Sequence, residues 1–518
     1  MTQHCDRTYD FIVCGAGTAG CVVAARLADQ QDVRVLLIEA GHGYSGPEVT
    51  EPAQWPLNLG SARDWAFEGQ PNAHLNGRRL PLNMGKGLGG GSSINVMVWA
   101  RGHRTDWDHF AAESGDAAWG YQSVLGYYAR IENWQGRADT LRRGTNGPVY
   151  VAQPEAPQPL ALATLEAAGH LGIPRFDSAN GEMMEGPGGV AIAELRIHQG
   201  RRESLYDAYL RPRLHHPNLT VLTGALVARV LLQGTRAIGV EVIVDGQRQC
   251  FHADREVVLS MGAVNTPKVL MQSGIGPEDE LRAHGIARVN HLPGVGRNHQ
   301  DHIAFGCTWA YRQPQPVGGG GCEATLYWKS DARLEAPDLL HCQLEFAVPS
   351  PPEVGIPPPA HGWTMFAGLA RPLSRGRLRL SGAGPSDPVL IEPNTLSAPE
   401  DLTAAFASIA LCRELGNSSA LEGLVTHEVV PGPREPRALA QFIRHAAVSY
   451  WHQCGTAKMG RDGLSVVDHR LRVYGIDNLR LADASIMPRI TVGNTMAPCV
   501  VIGERAADLL LADHGLTR

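Results

Sequence analysis

The sequence predicts an α/β fold in which a nucleotide-binding domain is interrupted by a second, less regular one. Three observations carry this prediction. A strand–turn–helix–strand unit opens the chain, short apolar strands return at residues 257–260 and Leu479–Leu481, and two irregular blocks, residues 155–200 and 305–450, lie between such elements.

Residues 9–14 form a short run of aromatic and β-branched side chains, the pattern of a buried strand. Residues 15–20 turn, residues 21–28 carry the Ala and Leu of a helix, and residues 33–38 form a second buried strand that ends at Glu39. Residues 86–93 are almost all Gly and Ser and lead into an apolar stretch over 94–99. Residues 221–244 read as paired strands about a turn near Gly234. A strand over 257–260 follows, then Gly262 and a helix from about Thr266. The last strand runs into Asp483, and a final helix spans 498–512, with Pro498 at its start, where a missing N–H costs little. In the second block, residues 318–321 and 349–359 read as surface loops, and there is no internal repeat.

Composition bounds the partners. The chain has 518 residues, enough for more than one core, and 43% of them are hydrophobic and 19% charged. A formal charge of -6 argues against a nucleic acid or an anionic membrane, which call for a basic patch. The ten cysteines include no Cys-x-x-Cys pair and no zinc spacing. Residues 1–7 are polar, with no signal-peptide core, and no apolar run is long enough to span a membrane. The expectation is a reduced, cytoplasmic protein.

Gly15-Ala16-Gly17-Thr18-Ala19-Gly20 is a G-x-G-x-x-G motif between a predicted strand and helix. Gly15 permits the tight turn, Gly17 lets backbone approach a pyrophosphate, and Gly20 lets helix and strand pack closely. The helix N-terminus presents free N–H groups to phosphate, and Glu39 is placed to bond ribose hydroxyls. A purely structural glycine turn is the competing reading; the agreement of strand, helix, second strand and terminal acid favours the dinucleotide. The motif does not separate FAD from NAD.

Further segments resemble one family. Residues 85–95 (GKGLGGGSSIN, with Trp99, Gly102 and Asp108 behind), residues 262–276 and residues 293–302 are similar to segments of the glucose–methanol–choline oxidoreductases. So are Trp451-His452-Gln453-Cys454-Gly455-Thr456, Asp483-Ala484-Ser485 and Gly493-Asn494-Thr495. The resemblance implies a Rossmann-like FAD-binding domain of residues 1–154, 201–304 and 451–518. It also implies an inserted substrate-binding domain, built on an antiparallel sheet, of residues 155–200 and 305–450. FAD is then expected against Gly15, Ala16, Gly17, Thr18, Ala19, Gly20, Glu39 and Ala40. Contacts from Gly87, Gly90, Ser92, Asn95 and Val98, from Val227 through its backbone, and from Trp451, Asp483, Ala484, Asn494, Thr495 and Met496 are expected too. Some relatives tie FAD covalently through a His in the Gly/Ser segment; Ile94 stands there, so the expected FAD is non-covalent.

The same resemblance places His452 over the flavin, with Asn494 at a position that is His in some relatives. Alcohol oxidation needs the hydroxyl proton removed as hydrogen leaves carbon. A neutral imidazole suits the first task, and the Asn494 amide can stabilise the oxygen. The expected product is an aldehyde or ketone, with dioxygen or another acceptor reoxidising the flavin. Trp451, Val96, Met97 and Trp99 point to an apolar or aromatic primary alcohol. His299, Asp301 and His302 suggest a metal, but their segment belongs by similarity to the flavin domain, so no metal is expected. The alternatives are a cyanohydrin-cleaving lyase on the same fold, an NAD-linked dehydrogenase and a non-catalytic binding module.

Overall fold

Thr8–Cys14 opens a mixed sheet, its last residues fully buried. The computed structural model describes residues 8–516; the polar segment 1–7, with Cys5, lies outside the described residues. Thr8–Cys14 runs parallel to Val35–Ile38 on one side and to Gln247–Leu259 on the other, and Leu219–Leu222 adds a parallel strand beyond Val35–Ile38. Past Gln247–Leu259 the sheet continues antiparallel through Arg236–Val244 and Ala225–Gln233, while Leu479–Leu481 pairs in parallel with its end. The predicted strand over 257–260 is therefore the buried tip of a much longer one. Its first residues, 247–249, are all polar and exposed, so that end reads as a solvent-facing turn.

Three helix starts differ from the sequence expectation: the last helix, Met496–Asp513, opens two residues ahead of Pro498, and the other two have a local cause. The first helix, Thr18–Ala28, begins inside the predicted turn. Gly20 already lies in its first turn, where a Cβ would stand 1.8 Å from the Gly15 carbonyl oxygen. The helix Gly262–Gln272 begins ahead of Thr266 and carries Pro267 inside it. Proline has no N–H for the Ala263 carbonyl, four residues back, and the Thr456 hydroxyl donates to that oxygen instead at 2.6 Å.

The second large sheet is antiparallel, in the order Val425–Val430, Ile303–Tyr311, Gly362–Leu369, Leu339–Leu344, Ala324–Trp328, Gly189–Ile192, with Ala447–Ser449 also paired to Ile303–Tyr311. Alternation along these strands separates two faces. Phe305, Cys307, Trp309, Trp363 and Met365 pack beneath helices Pro159–His170 and Pro399–Gly416, with the Trp309 and Trp363 rings stacked at 4.6 Å. Cys342, Leu344 and Phe366 point the other way, into a cavity shared with the first sheet. The expected boundary at 304 cuts the strand Ile303–Tyr311, which belongs wholly to this second sheet.

Residues 349–359 lie at the surface, but residues 318–321 do not behave as a surface loop. The Gly320 carbonyl accepts from Trp55 Nε1 at 3.2 Å, and a Cβ on Gly320 would meet the Met97 side chain at 2.8 Å. The glycines are there because the backbone packs tightly against the pocket wall. No helix among the described residues is long and apolar enough to cross a membrane.

Candidate active site

A cavity of about 780 Å³ runs from the glycine turn of the first sheet to the aromatic face of the second. At the first end Gly15 holds φ +97°, a backbone conformation that L side chains rarely adopt. Gly15, Gly17, Thr18 and Ala19 border the cavity, and the helix that follows has no side chain capping its N-terminus. Its free N–H groups therefore face the space a diphosphate would fill. Gly17 and Gly91 line the same space; a Cβ on Gly91 would meet nothing within 4 Å, and one on Gly17 only the Ser260 carbonyl oxygen at 3.9 Å. These cradle positions fit an extended dinucleotide.

Ala16 and Gly20 stand behind this wall. Ala16 donates its N–H to Glu39 Oε2 at 2.9 Å, and Gly41 and Gly87 donate to Glu39 Oε1 at 2.9 and 3.0 Å. Burial raises the Glu39 carboxyl against these three donors, which favour its charged form. Glu39 and Ala40 border the cavity, so Glu39 both faces the ligand space and ties the first glycine turn to the second. Gly87 takes part only through that bond. Ser92 is buried away from the cavity, its hydroxyl donating to Gly89 O and accepting from Leu205 N. Gly90, Asn95, Val98 and Val227 line the cavity, as does Ile94.

At the other end Asp483 and Ala484 border the cavity, but the Asp483 carboxylate is engaged by protein. It accepts from Thr266 Oγ1 at 2.6 Å, Gly262 N at 3.0 Å and Ser485 N at 2.7 Å. Thr495 and Met496 open the last helix, Met496–Asp513, which also lacks a side-chain cap at its N-terminus. Free N–H groups and the positive end of the helix therefore meet the cavity close to Asn494.

His452 and Asn494 come together on this wall. Asn494 Nδ2 lies 3.2 Å from His452 Nε2, within hydrogen-bonding distance. The His452 N–H donates to Asp301 Oδ1 at 2.8 Å, and its Nδ1 lies 2.8 Å from His302 Nδ1. Burial, reinforced by the neighbouring His302, pushes the His452 imidazole well below the usual histidine range, so it is neutral near pH 7. The Tyr450 ring stacks on it at 5.7 Å, nearly parallel. Trp451 holds φ +61°, costly for a bulky residue, and three bonds secure it. Its N–H donates to Ser449 Oγ, Ser449 donates to Asp301, and its indole donates to Asn83 Oδ1 at 3.1 Å.

With glycine cradles, two uncapped helix ends and an imidazole–amide pair on one cavity, the comparisons fall into place. GMC oxidoreductase profiles match residues 9–304 and 372–503, more than half of the chain. The chain belongs to the GMC oxidoreductase family. An oxygen-dependent choline dehydrogenase of Brucella anthropi is 36% identical over 539 residues, covering 98% of this chain and 96% of the relative. An uncharacterized GMC-type oxidoreductase of Mycobacterium tuberculosis is 37% identical over 536 residues, covering 98% and 99%. Among solved structures, pyridoxine 4-oxidase from Mesorbium loti superposes with a TM-score of 0.92 at 33% identity, covering 98% of this chain and all of that one. This GMC protein is therefore an FAD-dependent oxidoreductase.

Sequence reasoning missed the substrate-side wall of Trp55, Cys342, Leu344 and Phe366. The only available signal was the alternation of apolar residues along 339–344 and 362–369, which marks a strand but not which face meets a ligand. Asp301 and His302 were visible only as part of a family-like segment and, with His299, as a possible metal set.

Proposed function

We propose that the protein oxidises the CH–OH group of an apolar or aromatic primary alcohol to the carbonyl, with His452 as the base and FAD held without a covalent link. One observation carries the reading: a neutral imidazole nitrogen and an amide N–H stand 3.2 Å apart on the cavity wall, placed to grip one hydroxyl oxygen together. His452 Nε2 takes the hydroxyl proton, and Asn494 Nδ2 steadies the charge that gathers on oxygen. Bound FAD supplies the two-electron acceptor for the hydrogen that leaves carbon. The Ile94 side chain at the Gly/Ser segment offers no nucleophile to the ring. Dioxygen or another acceptor then restores the oxidised cofactor. The reduced thiols of the described residues suit a cytoplasmic setting.

The substrate class rests on the walls around His452. Trp451 meets Trp55 edge-on at 6.1 Å, and Phe366 meets Tyr450 edge-on at 5.7 Å, leaving aromatic surface beside the imidazole. Such faces also attract a cationic headgroup, and the Brucella relative is named for choline. Anaerobic bleaching of the flavin by benzyl alcohol, hexanol, pyridoxine, choline and glucose separates these options. Fastest bleaching by benzyl alcohol or hexanol is the expected outcome; bleaching by choline or glucose alone overturns the substrate class. Acid precipitation that leaves yellow flavin on the protein pellet overturns the non-covalent assignment.

A further inference from the structure

We infer that His302 is a positioning residue that fixes which ring nitrogen of His452 carries the proton. The inference rests on the reading of His452 as the base and adds how that base is kept in its working tautomer. It starts from a group that has no tautomers. His302 Nε2 lies 3.0 Å from the Ala370 carbonyl oxygen, and a carbonyl can only accept, so Nε2 of His302 bears a hydrogen. Burial lowers His302 to about 4, so near neutral pH its ring holds that proton alone and Nδ1 keeps a lone pair.

That lone pair faces His452 Nδ1 at 2.8 Å, with the two rings edge to face at 88°. Two lone pairs cannot face each other at this separation, so the hydrogen between them belongs to His452 Nδ1. His452 is itself neutral, so its other nitrogen, Nε2, is left bare. Nε2 is the atom beside Asn494 Nδ2, on the cavity. Turning the Asn494 amide round would require a hydrogen on Nε2 and none on Nδ1. Two lone pairs would then meet at the His302 contact, or at the Ala370 carbonyl if His302 also changed tautomer. The fixed carbonyl thus decides the state of a nitrogen two rings away.

The relay is held from both sides. The Asp301 carboxylate accepts from the His452 backbone N–H and from Ser449, and the His302 carbonyl accepts from Tyr450 N at 2.9 Å. Asp106 is the charged group that bears on His302, while burial pushes the Asp301 carboxyl up to about 7. Both support the backbone around this pair, Asp301 from its own strand end and Asp106 through Val492 N at 2.7 Å.

The test is ¹⁵N-histidine NMR of the FAD-loaded enzyme, with the His452 signals assigned by their loss in His452→Gln. A non-protonated Nε2 and a protonated Nδ1 are expected; the reverse tautomer, or an even mixture of the two, overturns the inference. His302→Leu removes the acceptor and should lower the flavin reduction rate at saturating alcohol by about 10²-fold while leaving KM and bound FAD unchanged. His302→Gln can accept from His452 Nδ1 through Oε1 and donate to Ala370 through Nε2, and should recover most of that rate. Equal loss in both variants with the wild-type tautomer intact would mean that His302 is only a packing residue. Failure of the base reading looks different: His452→Gln would itself then reduce flavin at the wild-type rate.

Discussion

The two large sheets make opposite walls of one cavity by opposite means. On the mixed sheet the ligand meets backbone: bare Cα positions at Gly17 and Gly91 and uncapped helix ends at Thr18 and Met496. On the antiparallel sheet it meets side chains, Cys342, Leu344 and Phe366, projecting from regular strands. Backbone recognition forbids side chains at fixed points and so leaves a spaced glycine signature. Side-chain recognition needs only apolar bulk on alternate positions, which many sequences satisfy. Under the proposed function the first wall would hold the cofactor and the second the substrate.

The seam between the walls is where the largest effect is expected. His452→Ala should retain fold and FAD but lose about 10²–10⁴-fold in the rate of flavin reduction, read by anaerobic stopped flow. Retention of the wild-type rate would remove His452 from the chemistry. The pH dependence of the intact enzyme sharpens the point. A base whose pKa is depressed by burial stays neutral through the ordinary histidine value of about 6.5, so the rate should be level there. It should fall only as pH drops through the lower folded value. Stability follows the same sign: the unfolded chain binds the proton more readily, so the His452 contribution is present above about 6.5 and is lost as pH falls below it.

Asn494→Ala comes next. It removes one donor to the reacting oxygen and leaves the base in place, for an expected loss of about 10²–10³-fold in reduction rate. A change confined to FAD content would instead assign Asn494 to holding the cofactor through its neighbours Thr495 and Met496.

What the sequence disclosed follows the same division. The opening βαβ unit, the first glycine turn and Glu39 were legible because each depends on a residue type that charge or backbone geometry makes hard to replace, whereas the pairing of His452 with Asn494 came from the family resemblance. The wall at Leu344 and Phe366 was not, since nothing in an apolar strand says which face meets a ligand. The helix read as starting near Thr266 begins at Gly262, and only the Thr456 hydroxyl at the Ala263 carbonyl explains how Pro267 sits inside it. Residues 318–321 read as a surface loop because a run of glycine has the same composition whether it is solvated or packed under Trp55. The role of His302 depends on a hydrogen-bond direction set by Ala370, which no local pattern encodes.

Glu39→Ala tests the backbone wall at a distance from the chemistry. The carboxylate binds three backbone N–H groups and faces the ligand space. A charge-assisted bond from this carboxylate to the ribose hydroxyls is worth about 1.5–3 kcal/mol, or a loss in FAD affinity of roughly tenfold to hundredfold. Titration of apoprotein with FAD measures it. The reduction rate per bound FAD should stay near wild type, and an unchanged affinity would leave Glu39 as a tie between two glycine turns and nothing more.

The smallest effect is expected on the side-chain wall, at Leu344→Val. Leu344 is buried on the strand Leu339–Leu344 and faces the cavity, so losing one methylene adds space without exposing a polar group. A methylene in an apolar pocket is worth about 1–3 kcal/mol of discrimination. The ratio of kcat/KM for a bulkier alcohol over a slimmer one should therefore rise by at least about tenfold. FAD affinity should not move, because the cofactor is held by backbone on the opposite sheet. A loss of FAD with no change in that ratio would show that the two walls do not divide the work between cofactor and substrate. If both quantities stay fixed, Leu344 contacts neither cofactor nor substrate, and the substrate lies instead between Trp55 and Trp451.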